Sequence, residues 1–322
     1  MIKFIIKKTV RLLALLLFVS LVTFILIEIS PIDPIRAYIT SADAVSPEQK
    51  QEIESYFGLD KSPISRYFEW IKNICTGNLG ISIIYRIPVL DVISQKFVNS
   101  LILMLSSFLL SGVLGLMFGI LMGQNEKIDK ILRPICLIIS AMPTFFVGII
   151  FLIVFSVKLG IFPLAFSVPV GVLAENVSFY DNLRHMVLPV LTLSFVSFAP
   201  LALHTREKVI EIMGEDYILL AKTRGFSQKQ IISRHLLRNI LLPFITLQFA
   251  SLSEIFGGSI LAETVFSYPG LGSVIVTAGL RGDVTLLLGV TMFSCVFVFL
   301  GNFIANILYA IIDPKIRFEE NL

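Results

Sequence analysis

The chain has 322 residues, of which 56% are hydrophobic and 15% are charged, and its mean hydropathy is +0.87. One soluble core of that length cannot bury so much apolar surface, so the composition excludes an ordinary soluble protein and indicates a membrane protein. The net charge of +3 does not suggest nucleic acid binding. Cys75, Cys136 and Cys295 lie far apart, without the spacing of a metal site or a disulfide framework, so we interpret them as packing residues.

The N-terminal third is predicted to contain one membrane span and a large external loop. Residues 1–30 hold a basic tail and an apolar run that is too long for a signal peptide, so we expect an uncleaved span with a cytoplasmic N-terminus. Residues 31–98 have the composition of a soluble segment. A capping pattern and a glycine stop there predict a short surface helix over about residues 47–57. An aromatic patch at residues 67–71 is expected at the membrane interface or on the ends of the spans.

Residues 99–312 are predicted to form a transmembrane core, and residues 313–322 a cytoplasmic tail. Five apolar segments in the core complete an all-α protein with six transmembrane helices, the third of them broken at Pro143. These segments lie near residues 100–122, 135–157, 187–203, 241–261 and 286–311. Apart from the first external loop, whose length weakens the positive-inside rule, basic residues are concentrated in the segments assigned to the cytoplasm. Both termini are therefore placed in the cytoplasm.

Small residues recur every four positions along the second span. They are Ser107, Ser111, Gly115, Gly119 and Gly123. A stripe of small side chains lets two helix backbones approach closely in a bilayer, where no hydrophobic effect drives helices together. We expect a tight helix contact here, either within the chain or with a partner subunit.

One long charged segment, residues 206–240, separates the fourth and fifth spans, and we call it the elbow. Apolar residues recur in it at the spacing of one helical face, which predicts an amphipathic helix outside the bilayer. These residues are Val209, Ile212, Met213, Tyr217 and Leu220. Gly225 can end that helix at positive φ, and Ser227 with Gln230 forms a capping-box pattern that begins a second helix. A rigid bend between two helices is the expected result.

Three stretches of the elbow resemble the cytoplasmic coupling loop of ATP-driven importer permeases, in the peptide/nickel branch of the ABC transporters. They are Glu215-Asp216-Tyr217, Ala221-Lys222-Thr223-Arg224-Gly225 and His235-Leu236-Leu237-Arg238-Asn239. In that family the loop carries the EAA motif, docks in a cleft of the ATPase subunit and transmits its closure to the membrane helices. Here Ala221 and Gly225 keep the general form, whereas Leu219 and Leu220 replace the first two letters of the motif.

The resemblance implies that nine residues of the elbow couple the chain to an ATPase. They are Glu215, Asp216, Tyr217, Ala221, Gly225, Ser227, His235, Arg238 and Asn239. The charge of the segment alone leaves an alternative, in which a basic amphipathic loop lies on anionic lipid.

Two external segments also resemble this family. In residues 263–272, the resemblance suggests that four residues pack near an external gate: Tyr268, Pro269, Gly270 and Gly272. Because the Pro-Gly pair gives a turn and Gly272 allows a close approach, a purely structural role stays open. The stretch at residues 77–91 resembles the part of the family that faces an external binding protein, although it could equally only cover the helix ends.

The sequence offers one candidate for chemistry inside the membrane. It lacks a Gly-rich phosphate loop that ends in Gly-Lys-Ser/Thr, so we expect the chain neither to hydrolyse ATP nor to be an enzyme, and we expect no cofactor or metal. Glu254 lies in the middle of the fifth span, where a carboxylate is costly and normally faces the bundle interior or a water path. It is a candidate for the translocation path. The alternative is a glutamate that only holds two helices together.

The resemblance covers nearly the whole chain and implies a type I ABC importer permease in a bacterial or archaeal cytoplasmic membrane. Such a permease pairs with a second homologous permease, two cytoplasmic ATPase subunits and an extracytoplasmic substrate-binding protein. Residues 254–258, 80–82 and 88–91 look like those of nickel members, so nickel or a metal chelate is the expected substrate. Import of di- or oligopeptides is the alternative, because peptide permeases share most of these residues.

Two other classes remain as alternatives. An ion-driven secondary transporter usually shows internal repeats, interrupted helices and several membrane carboxylates, whereas this sequence has one deep carboxylate and no evident repeat. A scaffold or receptor subunit without a pore would have the same topology, but the elbow would then have no evident purpose.

Overall fold

The structure is a computed structural model of the chain that describes residues 2–30, 46, 48, 51–52, 55, 60–165 and 178–312. These residues are almost entirely helical, and an isolated antiparallel bridge joins Ile81 to Pro88. The surface helix predicted at residues 47–57 lies largely outside the described residues. The predicted tail at residues 313–322 lies wholly outside them.

The helices follow one another with short connections over most of the described chain. In the N-terminal half they are α1 (Ile2–Ile29), α2 (Pro63–Cys75), α3 (Val89–Gln124), α4 (Glu126–Ser140) and α5 (Thr144–Phe151), which continues as a π-helix over Leu152–Lys158. In the C-terminal half they are α6 (Phe179–Met213), α7 (Asp216–Thr223), α8 (Gln228–Ile231), a π-helix over Ile232–Leu236, α9 (Leu237–Ala250), α10 (Leu252–Val265), α11 (Leu271–Arg281) and α12 (Val284–Ile312).

Within the described residues, α1, α3, α6 and α12 are each long and apolar enough to cross a bilayer. Two bent pairs meet the same test together: α4 with α5 and its π-helix, at 108°, and Gln228–Ala250 with α10, at 44°. If each bent pair crosses once, the chain has six spans, as the sequence predicts. The bend between α4 and α5 lies at the predicted break, because Pro143 is the N-cap residue of α5 and cannot donate a helical hydrogen bond.

Several helices extend beyond the predicted spans. The second begins at Val89 rather than near residue 100, and the fourth runs from Phe179 to Met213 instead of over residues 187–203. More polar residues precede the apolar stretch of α3 and flank that of α6 on both sides, without interrupting either helix. Hydropathy therefore located the apolar part of each helix but not the ends of the helix.

The chain divides into two compact units. The first contains residues 1–100 and 269–299, and the second contains residues 101–268 and 300–322. In the first unit, α2 packs on the C-terminal half of α1, where Tyr67 OH shares a hydrogen bond with Ser20 Oγ at 2.8 Å and Arg66 Nη2 donates to the Glu28 carboxylate at 2.7 Å. Phe68, on another face of α2, is 65% exposed, so the predicted aromatic patch is divided between two surfaces.

In the first unit, a buried carboxylate joins the segment before α3 to the start of α12. The Asp283 side chain is fully buried, and its Oδ2 accepts hydrogen bonds from Ser82 Oγ at 2.7 Å and from the Ile84 backbone N–H at 3.0 Å. Its Oδ1 accepts from the Leu286 N–H at 3.0 Å, which caps the first turn of α12.

Replacing this carboxylate is expected to loosen the turn that it holds. In Asp283→Asn the amide keeps one acceptor oxygen but presents an NH₂ group to donors, which costs about 2 kcal/mol of the free energy of unfolding. Faster hydrogen exchange at residues 82–86 would show the effect. Asp91→Asn, at an exposed carboxylate in the first turn of α3, should change stability by less than about 0.5 kcal/mol. Equal exchange in both variants would contradict this account.

In the second unit, the stripe of small residues on α3 lies against α6. A Cβ at Gly115 would meet Leu201 Cβ at 2.7 Å, and one at Gly119 would meet the Ala202 carbonyl oxygen at 2.8 Å. Glycine is needed at these positions because the two backbones are too close for a side chain between them. Ser107 and Ser111 are fully buried on the same stripe. The contact between α3 and α6 lies within the chain.

Candidate functional site

The first half of the elbow differs from its predicted form. The predicted helix over residues 209–220 is divided, because α6 ends at Met213 with Gly214 as its C-cap and α7 begins after Glu215. Val209 and Ile212 are buried at the end of α6, whereas Tyr217 and Leu220 are 40% and 50% exposed. The single apolar face predicted for these residues is therefore wrong. Ile218 and Ala221 are the residues of α7 that are buried.

The end of α7 has the predicted glycine closure. Gly225 has φ of 81°, its N–H donates to the Lys222 carbonyl at 3.0 Å, and the Phe226 N–H donates to the Ala221 carbonyl at 3.2 Å. This pair of bonds is the Schellman motif, which needs a left-handed residue at the position of Gly225. Phe226 packs back on the apolar core of the elbow.

The second helix of the elbow begins with the predicted capping box. The Ser227 side chain accepts from the Gln230 backbone N–H, and Gln230 Oε1 accepts from the Ser227 N–H at 2.9 Å. Because both ends of the bend at Gly225 are closed by local hydrogen bonds, the bend is a defined structure and not a loose connection.

An apolar cluster packs the short helices of the elbow against the two long helices that flank them. Ile218 and Ala221 of α7 and Ile231 of α8 pack with residues of α6, of the π-helix after α8, and of α9. These other members are Leu201, Val209, Ile212, Leu236, Ile240 and Phe244. Since all of these side chains are buried, the elbow and the ends of α6 and α9 are expected to move together.

The surface of the elbow on either side of Gly225 is basic, because Lys222, Arg224 and Lys229 are exposed there. A Cβ at Gly225 would meet no atom of the described residues within 4 Å. The bend is therefore open to a partner.

The structure places the nine predicted coupling residues in three groups. Glu215, Asp216, Gly225, Ser227 and Arg238 lie on the exposed surface, and Ala221 lies in the apolar cluster. The remaining three meet where α7 approaches α9: Asn239 Nδ2 donates to Tyr217 OH at 3.1 Å, and the Tyr217 and His235 rings lie 6.2 Å apart.

Glu254 lies on an open face of the fifth span. It follows the bend at Ser251, and exposed residues recur along one stripe of the span. The stripe contains Ala250, Glu254, Gly257, Leu261 and Thr264. Within the described part of the chain Glu254 makes no hydrogen bond or ion pair, so the bonds recorded there do not support its holding two helices of this chain together.

The predicted gate residues are largely buried. Tyr268 is 6% exposed in a core cluster of the second unit, where Ser267 before it has φ of 48° and forms the left-handed end of α10. In the first unit, the Pro269 carbonyl accepts from Asn99 Nδ2 at 3.0 Å, and Gly270 and Gly272 are buried at the start of α11. These positions fit the structural alternative for this segment.

Glu263, at the start of the same segment, is fully buried. The sequence had indicated Glu254 as the deep carboxylate of the fifth span, and it gave no separate signal for Glu263, which looked like part of an external turn. Glu263 belongs to the last turn of α10.

Two family models match the chain. One, described as "Binding-protein-dependent transport system inner membrane component", matches residues 113–318, and another, described as the N-terminal part of such membrane components, matches residues 1–104. The chain belongs to this family. The permease thereby has an inner-membrane location with several spans and depends on a binding protein.

Curated relatives match the permease over nearly its whole length. The oligopeptide transport system permease protein AppB of Bacillus subtilis is 33% identical, with 98% of this chain and 99% of the relative covered. The di/tripeptide transport system permease protein DppB of Pseudomonas aeruginosa is 31% identical, with 94% of each covered. The glutathione transport system permease protein GsiC of Escherichia coli is 30% identical, with 99% of this chain and 100% of the relative covered.

A solved structure of the MetNI methionine ABC transporter, in an inward-facing conformation, matches the permease with a TM-score of 0.57 and 17% identity. The match covers 70% of this chain and 97% of that one, and it shows a shared fold, the type I ABC importer permease. The chain is therefore a transport subunit and not an enzyme, and ATP is hydrolysed by partner ATPase subunits. Among the described residues, no group of three metal-ligating side chains is assembled.

Proposed function

We propose that this permease forms half of a translocation pathway for small peptides, and that the elbow around Gly225 couples the pathway to an ATPase. The relatives reported above are named for oligopeptides, di/tripeptides and glutathione, and these names favour the peptide alternative over the nickel expected from a few short motifs. Because these relatives align with nearly the whole chain, their names are the observation that supports a peptide as the substrate.

The open face of the fifth span supports a pathway at the edge of this chain. Glu254 and Gly257 lie on a stripe that the chain leaves unpacked, and a Cβ at Gly257 would meet nothing within 4 Å. A carboxylate exposed in this way is costly against lipid but favourable along a water path. Because the described residues leave this face open, we assign it to the pathway, which a second homologous permease completes, and we assign Glu254 to the amino-terminal ammonium group of a peptide.

The elbow supports coupling to an ATPase over simple attachment to lipid. The elbow exposes apolar side chains, Leu219 and Leu220, beside basic ones, as a lipid-binding loop would. Its bend is in addition closed by two local motifs and packed onto α6 and α9, which attachment to lipid does not require. Such rigidity lets a docked partner move the spans. The segment that contains Tyr268 is assigned to support of an external gate, because its buried side chains fix the end of the fifth span.

The test is ATP-driven uptake by cells or proteoliposomes that contain the whole importer. Labelled dipeptide, pentapeptide and nickel are compared with the permease deleted, restored, or replaced by Glu254→Gln. Loss of one charge-assisted hydrogen bond is expected to lower dipeptide uptake about tenfold. Glu126→Gln, at an exposed carboxylate of α4 outside both the elbow and the proposed pathway, is the matched control and should transport normally.

Each outcome separates one part of the proposal. Permease-dependent uptake of peptide but not of nickel supports the substrate class, and uptake of nickel alone overturns it. An N-acetylated dipeptide has no ammonium group, so its residual uptake should be insensitive to Glu254→Gln. Normal dipeptide uptake by Glu254→Gln would remove Glu254 from the pathway.

A further inference from the structure

An ion pair joins two helices at the start of the elbow. Arg206 Nη2 donates to Asp129 Oδ2 at 2.5 Å, and Arg206 Nε donates to Asp129 Oδ1. The two side chains are 13% and 14% exposed. The pair is thus bidentate and shielded from solvent, unlike an exposed surface pair, which contributes little.

The pair lies where three helices of the second unit meet. Asp129 is in the first turn of α4, which Asn125 caps by accepting from the backbone N–H of Lys127 at 3.0 Å. Gly123, near the end of α3, faces the same part of α6, where a Cβ would meet the Arg206 carbonyl oxygen at 3.1 Å. The close approach of backbones fixes the geometry in which the two charged side chains meet.

On one side, the pair is connected to the elbow by a continuous helix. Arg206 precedes Val209 and Ile212 on α6, and both of these belong to the apolar cluster that packs α7 and α8. A displacement of the elbow therefore displaces Arg206 with it, because no break lies between Arg206 and Met213.

On the other side, the pair is connected to the face that carries Glu254. Helix α4 leads through the bend at Pro143 to α5, which packs against α10. A Cβ at Gly258 of α10 would meet Thr144 Oγ1 at 3.4 Å, and one at Gly148 of α5 would meet Phe266 Cε2 at 3.4 Å. The bent third span thus lies between the ion pair and the helix of the proposed pathway.

We propose that Asp129 and Arg206 are positioning residues that transmit movement of the elbow to the bent third span, and through it to α10. This inference rests on the proposed role of the elbow. A bidentate pair suits the task because it resists both sliding and rotation of one helix against the other, which a single apolar contact does not. Without the pair, the ATPase should still hydrolyse ATP, but the pathway should no longer respond to that hydrolysis.

The test compares uptake with ATP hydrolysis in proteoliposomes that contain the whole importer, with labelled dipeptide as the probe. Asp129→Asn and Arg206→Gln are each expected to lower the amount of peptide transported per ATP about tenfold, within the usual range of coupling between sites. The double variant should be no worse than either single one, because the pair acts as a unit. Arg206→Lys keeps the charge and should recover part of the ratio.

Controls exclude a purely structural effect. Glu126→Gln breaks an exposed pair with Lys130 on the same helix and should leave the ratio unchanged. Asp129→Leu with Arg206→Met replaces the pair by apolar side chains that can pack, so the importer should assemble while the ratio stays low. Normal peptide transport per ATP in this double variant, or in both single ones, would overturn the proposal.

Different results would contradict the proposed function and the proposed role of the ion pair. If the unmodified importer takes up no dipeptide with ATP, the proposed function fails. If it does so and the variants lose uptake and hydrolysis in equal proportion, the pair has only a structural role and this inference fails alone.

Discussion

Gly225→Val is expected to abolish ATP-driven uptake while the permease remains folded in the membrane. Gly225 has φ of 81°, a conformation that costs a β-branched residue more than about 1–2 kcal/mol, so the Schellman closure of α7 would be lost. Because no atom of the chain lies within 4 Å of the added Cβ, the change should not disturb the packing of the spans. The measurement is uptake together with co-purification of the ATPase subunits, and both should fall.

Gly160→Val is the matched control for this prediction. Gly160 follows the π-helix of the third span with φ of 62°, and a Cβ there would also meet no atom of the described residues within 4 Å, so the backbone penalty is similar. It lies between the third and fourth spans, on the side predicted to be external, away from the elbow. Equal loss of uptake in the two variants would contradict a specific role for the elbow.

Gly119→Val is expected to prevent the permease from folding. A Cβ at Gly119 would lie 2.7 Å from Thr205 Cγ2 and 2.8 Å from the Ala202 carbonyl oxygen, distances that force α3 and α6 apart. Overpacking usually costs about 1–3 kcal/mol, and a clash with backbone should exceed that range. The stripe of small residues cannot relax, since Gly115 and Gly123 are equally close to α6. The expected result is loss of the monodisperse species in detergent.

The matched control is Gly279→Ala, a helical glycine of α11 whose Cβ would meet Leu287 Cδ2 at 4.0 Å, an ordinary contact. Alanine should be accepted there and should favour the helix by about 0.5–1 kcal/mol. Gly119→Ala should fall between the two variants. A stable, monodisperse Gly119→Val permease would show that α3 and α6 are not held as closely as described.

The features that the sequence predicted correctly are local. The apolar runs located the spans, Pro143 marked the bend of the third, and the capping box at Ser227 involves residues only three positions apart. A local motif needs no information about the rest of the fold, because its hydrogen bonds form within one turn of the chain.

Helix ends and long-range pairs were not predictable in this way. The apolar spacing of residues 209–220 continues through Gly214, whose φ of −85° is one that any residue adopts, so the end of α6 left no compositional signal. Asp129 with Arg206, and Asp283 with Ser82, are separated by 77 and 201 positions. Such pairs become visible only when packing brings their helices together.

The structure also argues against the two other classes of protein, a scaffold subunit and an ion-driven carrier. A scaffold subunit would not need an exposed bend at Gly225 that is packed tightly against two spans. An ion-driven carrier would not need the bend at all. Both would tolerate Gly225→Val as well as they tolerate Gly160→Val. Family membership and the shared type I fold agree with the importer.

The most direct test of the central claim is site-specific photo-crosslinking from the elbow in intact membranes. A photoreactive amino acid at Arg224, which is exposed beside Gly225, should form a covalent product with the ATPase subunit, identified by mass spectrometry. The same probe at Leu280, which is 73% exposed on a segment predicted to be external, should not. If the probe at Arg224 reacts only with lipid, the elbow is a membrane-surface loop and the coupling account is wrong.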